Sequence, residues 1–233
     1  MPGALSLMFL AFVLVLIPLA AWRTAQRLRS TDPSKTVTRT QYWQNAVFFQ
    51  VVMLAFAWFV GSSFDYSIFE IGSLDLKKVL FSVAALCVVF ALRQISRWTR
   101  TDEELKGLSV YKRAPRTNAE IAWFIVAVLA ASVAEEAVYR GVGFSILWYS
   151  LGNPWVSASI IAVAFALAHW NQGWKSGATI FLYALVFQAL VYLTETLVLA
   201  MIVHVLYDLG AGYIIRRKAL EFDVENAQET VNA

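Results

Sequence analysis

Runs of apolar residues close to twenty long recur along this chain, and a lipid bilayer is the solvent that fits them. A soluble domain is about half apolar and a quarter charged, with charge interleaved at every turn. Here 59% of the residues are hydrophobic and only 15% charged, and the apolar excess falls in blocks. The expectation is therefore an all-α, polytopic membrane helix bundle. The net charge of +3 is modest and its basic residues sit in the connections. That pattern fits lipid headgroups and topology, and it excludes a nucleic-acid partner. Cys87 is the lone cysteine, so no internal disulfide forms.

The blocks divide the chain. Residues 5–22 read as a first span, because no basic residue precedes them and Arg23, Arg27 and Arg29 follow like a stop-transfer flank. A polar, basic loop containing Asp32-Pro33 leads to a second span at 42–60, with Trp43 and Trp58 as interfacial anchors. A third, short block lies at 79–92. Residues 93–117 form the longest polar stretch, expected to hold an amphipathic surface helix ended by Ala114-Pro115. Asn118 is the expected cap of the next helix. Further spans are expected at 119–139, 154–170, 175–193 and 196–215. Between the first two of these, 141–151 is apolar but short, and Gly152-Asn153-Pro154 signals a turn. The polar end from Glu221 to Ala233 reads as a disordered tail. By domain this gives N-terminal membrane helices and a surface loop at 1–116, a catalytic membrane core at 117–215, and a polar tail at 216–233.

Ionisable residues inside the apolar background carry the chemistry, because a charge in hydrocarbon is expensive and lines a cavity. Glu135, Glu136 and Arg140 lie in one block, His169 ends another, and His204 and Asp208 lie in the last. Glu136 and Arg140 are i, i+4 and can form a salt bridge. Glu135 is turned about 100° away from Glu136, so one acid serves as a strut and the other is free to act as a base. Phe165 and His169 share a face, as do His204 and Asp208. A partly desolvated glutamate can take a proton from water, and histidines opposite it can hold that water and donate to an oxyanion. The same set (Glu135, His169, His204) is also a candidate ligand set for a divalent metal such as zinc. The His-Glu-X-X-His spacing of zinc hydrolases is absent, so spacing does not demand metal.

A shared site also constrains the architecture. Glu135 lies about 16 residues, or roughly 24 Å, into its block. Its depth matches that of His169 only if 141–151 returns the chain across the bilayer. The expectation is thus about eight crossings, one of them short or tilted. With eight, Arg216-Arg217-Lys218 falls opposite the other basic loops. With seven, the charge bias is satisfied and the depth match is lost. Depth decides for eight, and the sidedness of the site stays open.

Glu135-Glu136-X-X-X-Arg140, Phe165-X-X-X-His169 and His204-X-X-X-Asp208, in that order and in three spans, resemble the motifs of the CPBP family. These are the CAAX-processing and bacteriocin-processing (abortive infection) intramembrane proteases. The resemblance covers the C-terminal half of the chain. It implies an integral, multi-pass endopeptidase, in the plasma membrane if the source is prokaryotic, acting on a peptide or membrane-protein substrate at the lipid bilayer. It implies that Glu135 activates water with His169 as its partner, that His204 and Asp208 form the oxyanion hole, and that Glu136 and Arg140 are structural. It carries both a glutamyl, metal-free mechanism, which we prefer, and a metallopeptidase alternative. The eukaryotic CAAX enzymes have Asn at the position of Asp208. An ionised Asp cannot donate a hydrogen bond, so Asp208 either stays protonated or orients His204. Two other classes compete: a catalytically silent immunity or binding membrane protein, and a proton-coupled transporter. The lack of evident inverted repeats counts against the transporter.

Overall fold

The computed structural model describes residues 3–30 and 37–232, so Asp32-Pro33 lies outside the described residues. Every described element is helical. Helix α1 runs through Ala4–Ala11, a π segment Phe12–Leu16 and Ile17–Ser30. Then follow α2 (Arg39–Ser62), α3 (Leu76–Trp98), and two short surface helices, α4 (Asp102–Gly107) and α5 (Ser109–Lys112). Helix α6 spans Asn118–Leu151, α7 Pro154–Ala168, α8 Trp174–Thr194 and α9 Leu197–Asn232. Among the described residues, six helices are long and apolar enough to cross a membrane, and α7 is a shorter apolar helix of 15 residues. Large apolar side chains face outward all round the bundle, including Phe48, Leu76, Trp98 and Trp155. A hydrocarbon solvent accepts them; water would not.

The sequence marks most helix ends. Thr38 and Thr117 each close a capping box, with Gln41 and Glu120 respectively. The cap of α6 is thus Thr117 rather than the expected Asn118. Asn153 accepts from the backbone N–H of Trp155 and Val156, and Pro154 occupies the first turn of α7. Gly152 and Glu195 end their helices in the left-handed region, at φ 66° and 57°.

Two expectations are corrected. Residues 141–151 do not form a separate crossing. Helix α6 continues through them, by way of a fully buried π segment from Glu136 to Gly143. Gly141 and Gly143 are close-approach points within it. A Cβ at Gly141 would stand 2.8 Å from the side chain of Leu197, and one at Gly143 would stand 2.6 Å from the carbonyl oxygen of Val138. The depth problem then dissolves. Helix α7 turns back at Gly152 and runs antiparallel to α6, so fifteen residues of return bring His169 level with residue 136, about 23 Å below the turn at 1.5 Å per residue. Among the described residues the apolar helices number seven, six of them long enough to cross a membrane.

The second correction concerns the C-terminus. Residues 221–232 are not a disordered tail but the last turns of α9. Ala219 and Phe222 pack with Leu105, Tyr111 and Ala114 in a small cluster of their own. Asp223 pairs with Arg116 at 2.6 Å and Glu225 with Lys106 at 3.1 Å.

The two ends of the bundle are chemically different. At one, Thr196 donates to the backbone carbonyl of Glu70, and Trp148 and Tyr149, near the end of α6, line a cavity with Tyr66 and Ser63. Lys77 and Lys78 are the basic residues there among those described. The opposite end gathers Arg39, Arg100, Lys112, Arg116 and Lys175. Arg39 donates to the carbonyl of Lys112, Arg100 to the hydroxyl of Ser176, and Lys175 to Glu104. The Lys175 ammonium holds the Glu104 carboxyl below its ordinary carboxylate range.

Candidate active site

The long helices carry the polar residues to one level. Glu136 and Arg140 are 0% and 1% exposed, whereas Glu135 and His169 are only half-buried. Adjacent residues on a helix point in different directions, and here one acid faces the packed interior and the other faces a cavity. That cavity holds about 430 Å³ and is lined by Glu135, His169, His204 and Asp208. It reaches towards the basic end of the bundle, where Val110, Arg113, Pro115 and Gln172 line it.

Buried Glu136 has two partners. The Arg140 guanidinium approaches its Oε1 to 3.3 Å, one turn away on the same helix. His204 donates from Nδ1 to the same oxygen at 2.8 Å. The guanidinium has no ordinary hydrogen bond from its side-chain nitrogens. Instead its central carbon lies 4.2 Å from the centroid of Phe165 and 5.5 Å from that of Phe187. A weakly hydrated planar cation tolerates such an aromatic cage. Phe165 is therefore shared: it also packs against Tyr139, and its ring centroid lies 4.7 Å from that of His169.

Both histidines are held by one ring nitrogen. His169 Nδ1 lies 2.9 Å from the carbonyl oxygen of Phe165. A carbonyl only accepts, so Nδ1 carries a proton, and in the neutral form the ring presents the Nε2 lone pair. His204 spends Nδ1 on Glu136 and turns Nε2 towards Asp208, 3.5 Å from Oδ2. Asp208 is the more open of the two partners, with 34% of its side chain exposed.

The sequence reading missed two contacts. It paired Glu136 with Arg140 and overlooked His204. It also left Gln50 unassigned, and Gln50 Nε2 donates to Glu135 Oε1 at 2.8 Å. Its signal was a polar residue inside an apolar span, on the face of α2 that also carries Tyr42, Ala46 and Met53. A further pair, Tyr207 donating to Tyr183 at 2.8 Å, lines the cavity beside Asp208. Among the described residues, no three His, Cys, Asp or Glu side chains are grouped to hold a metal ion. Glu135, His169 and His204 thus face one cavity without forming a three-ligand cluster in this arrangement.

The arrangement offers a carboxylate held by one oxygen, an imidazole lone pair, and a second imidazole fixed by a buried carboxylate. Such groups can move a proton from water and stabilise a developing negative charge.

Residues 117–210 match the family described as Rce1-like, type II CAAX prenyl endopeptidase. No curated protein and no solved structure matches the chain. The matched segment is similar to that family, which is consistent with a CPBP intramembrane protease and supports intramembrane endopeptidase activity in general. With its apolar helices, the chain is an integral, multi-pass membrane protein.

Proposed function

We propose that the chain hydrolyses a peptide bond of a CAAX-type substrate at the membrane by water activated on Glu135. The observation that carries this reading is the contrast between the two glutamates. Glu136 is sealed and doubly partnered, while Glu135 faces the cavity with one oxygen held by Gln50. In the proposed cycle Glu135 takes a proton from water as that water attacks the scissile carbonyl carbon. His169, through Nε2, positions the water. His204 in its protonated form donates from Nε2 to the oxyanion, with Asp208 orienting it and Glu136 holding Nδ1. The proton on Glu135 then passes to the leaving amine, and the C–N bond breaks. The family description favours CAAX-type over bacteriocin-type processing. The basic end of the bundle is assigned to the cytoplasm by the positive-inside rule, and the cavity reaches towards that end.

The test is cleavage of internally quenched prenylated peptides by the purified full-length chain, with and without EDTA. Cleavage by wild type, unaffected by EDTA and lost in His169→Ala, is the expected result. Undiminished cleavage by His169→Ala sinks the water-activating pair. Loss on chelation, with metal bound stoichiometrically, replaces the metal-free mechanism by a metallopeptidase one.

Gln50 is a positioning residue in this scheme. Its amide fixes which Glu135 oxygen is left for water. Losing a hydrogen bond to a charged group costs about 1.5–3 kcal/mol, so Gln50→Leu should lower kcat by about tenfold or more, with KM little changed. Gln50→Asn should recover part of that loss. A change in KM alone would remove Gln50 from the catalytic geometry.

A further inference from the structure

Behind the catalytic cavity lies a second, smaller one of about 120 Å³. It sits at the basic end of the bundle between α3, α8 and α9, and Leu105 and Tyr111 of the surface segment line its remaining side. The buried face of α3 leads into it. Ala85 and Val89 pack into the core on that face. Arg93, Ser96 and Arg97 follow at helical spacing, and Arg100 comes just past the helix end. All three arginines are half-buried and line the cavity. The outward side of α3 carries the exposed Ile95 and Trp98 instead. These arginines therefore turn into the protein and do not reach along its lipid-facing surface to the headgroups.

The cavity gathers donors without a carboxylate: among the described residues no Asp or Glu lines it. Arg97 is neutralised by Asp102, 2.6 Å away. Arg100 donates to the hydroxyls of Ser96 and Ser176, at 2.7 and 3.1 Å, and forms no ion pair among the described residues. Burial lowers its pKa, and the carboxylate that opposes this, Glu104, is already bonded by Lys175. Arg93 has neither a hydrogen bond nor an ion pair among the described residues, and its charge acts on the phenols of Tyr183 and Tyr207. Other cations of this end, such as Arg217, also lack an ion pair, but Arg217 is exposed and lies outside the cavity. Like charges one turn apart repel, and a charge turned away from water is costly unless it is paired. Arg93 and Arg100 are in that position together.

The donor set decides which anion suits them. A guanidinium binds carboxylate and phosphate alike. Ser96 and Ser176 accept from Arg100 and keep their own O–H protons to donate. A carboxylate has two oxygens to offer such a set, and a phosphate group has more. The volume of 120 Å³ equals that of about four waters, which admits a phosphate group and not a peptide chain. Tyr183 and Tyr207 form the partition, since both line this cavity and the catalytic one. We propose that Arg93 and Arg100, with Ser96 and Ser176, bind one phosphate group, that of an anionic lipid headgroup or of free phosphate, behind the tyrosine wall of the catalytic cavity. The bound phosphate ties α3 to α8 at the basic end of the bundle. The site takes no part in the proposed hydrolysis and stands whether or not that reading holds.

The test is the thermal unfolding midpoint of the delipidated full-length chain in an uncharged detergent. One arm titrates inorganic phosphate against chloride at constant ionic strength. The other adds phosphatidylglycerol, with diacylglycerol as the phosphate-free control. Wild type should show a saturable rise, because a ligand that binds the folded state stabilises it. A rise in the first arm identifies free phosphate as sufficient, and a rise with phosphatidylglycerol alone identifies a headgroup. Arg93→Gln should weaken the apparent affinity about 10- to 100-fold, the loss expected for hydrogen bonds to a charged group. Arg93→Lys should recover part of it, and Arg217→Gln should match wild type. Arg100→Gln should reproduce the loss, and it carries the comparison if Arg93→Gln does not fold. No saturable rise in either arm overturns the inference, as does a rise that diacylglycerol gives equally. A rise that survives in both Arg93→Gln and Arg100→Gln, or that Arg217→Gln weakens as much, also overturns it, the result expected of diffuse surface charge.

Discussion

Glu135→Gln is expected to reduce turnover about 10²- to 10⁴-fold, the range that a positioned general base contributes. The substitution is close to isosteric. Its amide oxygen still accepts the hydrogen bond that Gln50 donates to the carboxylate, and it leaves the cavity shape intact. What it removes is the capacity to take a proton. Stability should therefore stay within about 0.5 kcal/mol of wild type, as for a change that creates neither a buried cavity nor an unpaired charge. Glu135 is only half-buried and faces the cavity, so no packed partner is stranded. The measurements are initial rates on a prenylated peptide and the thermal unfolding midpoint in the same detergent. A turnover near wild type removes Glu135 from the base role. A collapsed midpoint shows that the residue holds the fold together, and then the activity loss says nothing about base chemistry. His169→Ala should fall in the same class, because its ring is tied to the Phe165 carbonyl one turn earlier and no hydrogen bond joins it to another helix among the described residues.

How far the sequence reached depends on the range of the interaction. The i, i+4 pairing of Glu136 with Arg140 was legible because helical geometry alone dictates it, and the pair is present at 3.3 Å. The His204–Glu136 contact joins residues 68 apart, and the Gln50–Glu135 contact joins residues 85 apart. Periodicity holds no information about such pairs; packing of α2 and α9 against α6 creates them. Continuity of α6 was misread for a related reason. Depth matching along separate blocks split the helix at Gly141, whereas the π segment runs through both glycines, and at Gly143 a Cβ would stand 2.6 Å from the backbone oxygen of Val138. That reading produced an eighth crossing, which placed Arg216-Arg217-Lys218 opposite the other basic connections. The end of α9 failed differently. Its charges suggested solvent and disorder, but Asp223 and Glu225 meet cations of the surface segment, and Phe222 finds an apolar cluster. A helix one turn wide in apolar contact leaves little hydrophobic signal, and its ion pairs come from a segment far away in the chain.

Glu136→Ala should behave in the opposite way to Glu135→Gln, although the two residues are neighbours. Glu136 and Arg140 are 0% and 1% exposed. Removing the carboxylate leaves a guanidinium in the interior with only the Phe165 and Phe187 rings for company. Breaking a buried pair from one side costs about 3–5 kcal/mol, because the surviving charge loses its compensation. The unfolding midpoint in detergent should fall accordingly. His204 Nδ1 loses its acceptor in the same step, so the imidazole is no longer held towards Asp208, and activity should fall even at temperatures where the variant is folded. A thermodynamic cycle separates the two roles. Combining Glu136→Gln with Arg140→Leu removes the charge while retaining an oxygen for His204 to donate to. The double variant should be more stable than the sum of its two single changes predicts, by the coupling expected of residues in contact. It should also retain more activity than Glu136→Ala, because His204 stays oriented. If Glu136→Ala unfolds at the wild-type temperature, Glu136 is not the strut of this site. If the double variant is as inactive as Glu136→Ala, the charge of the pair, and not the fixing of His204, is what the chemistry requires.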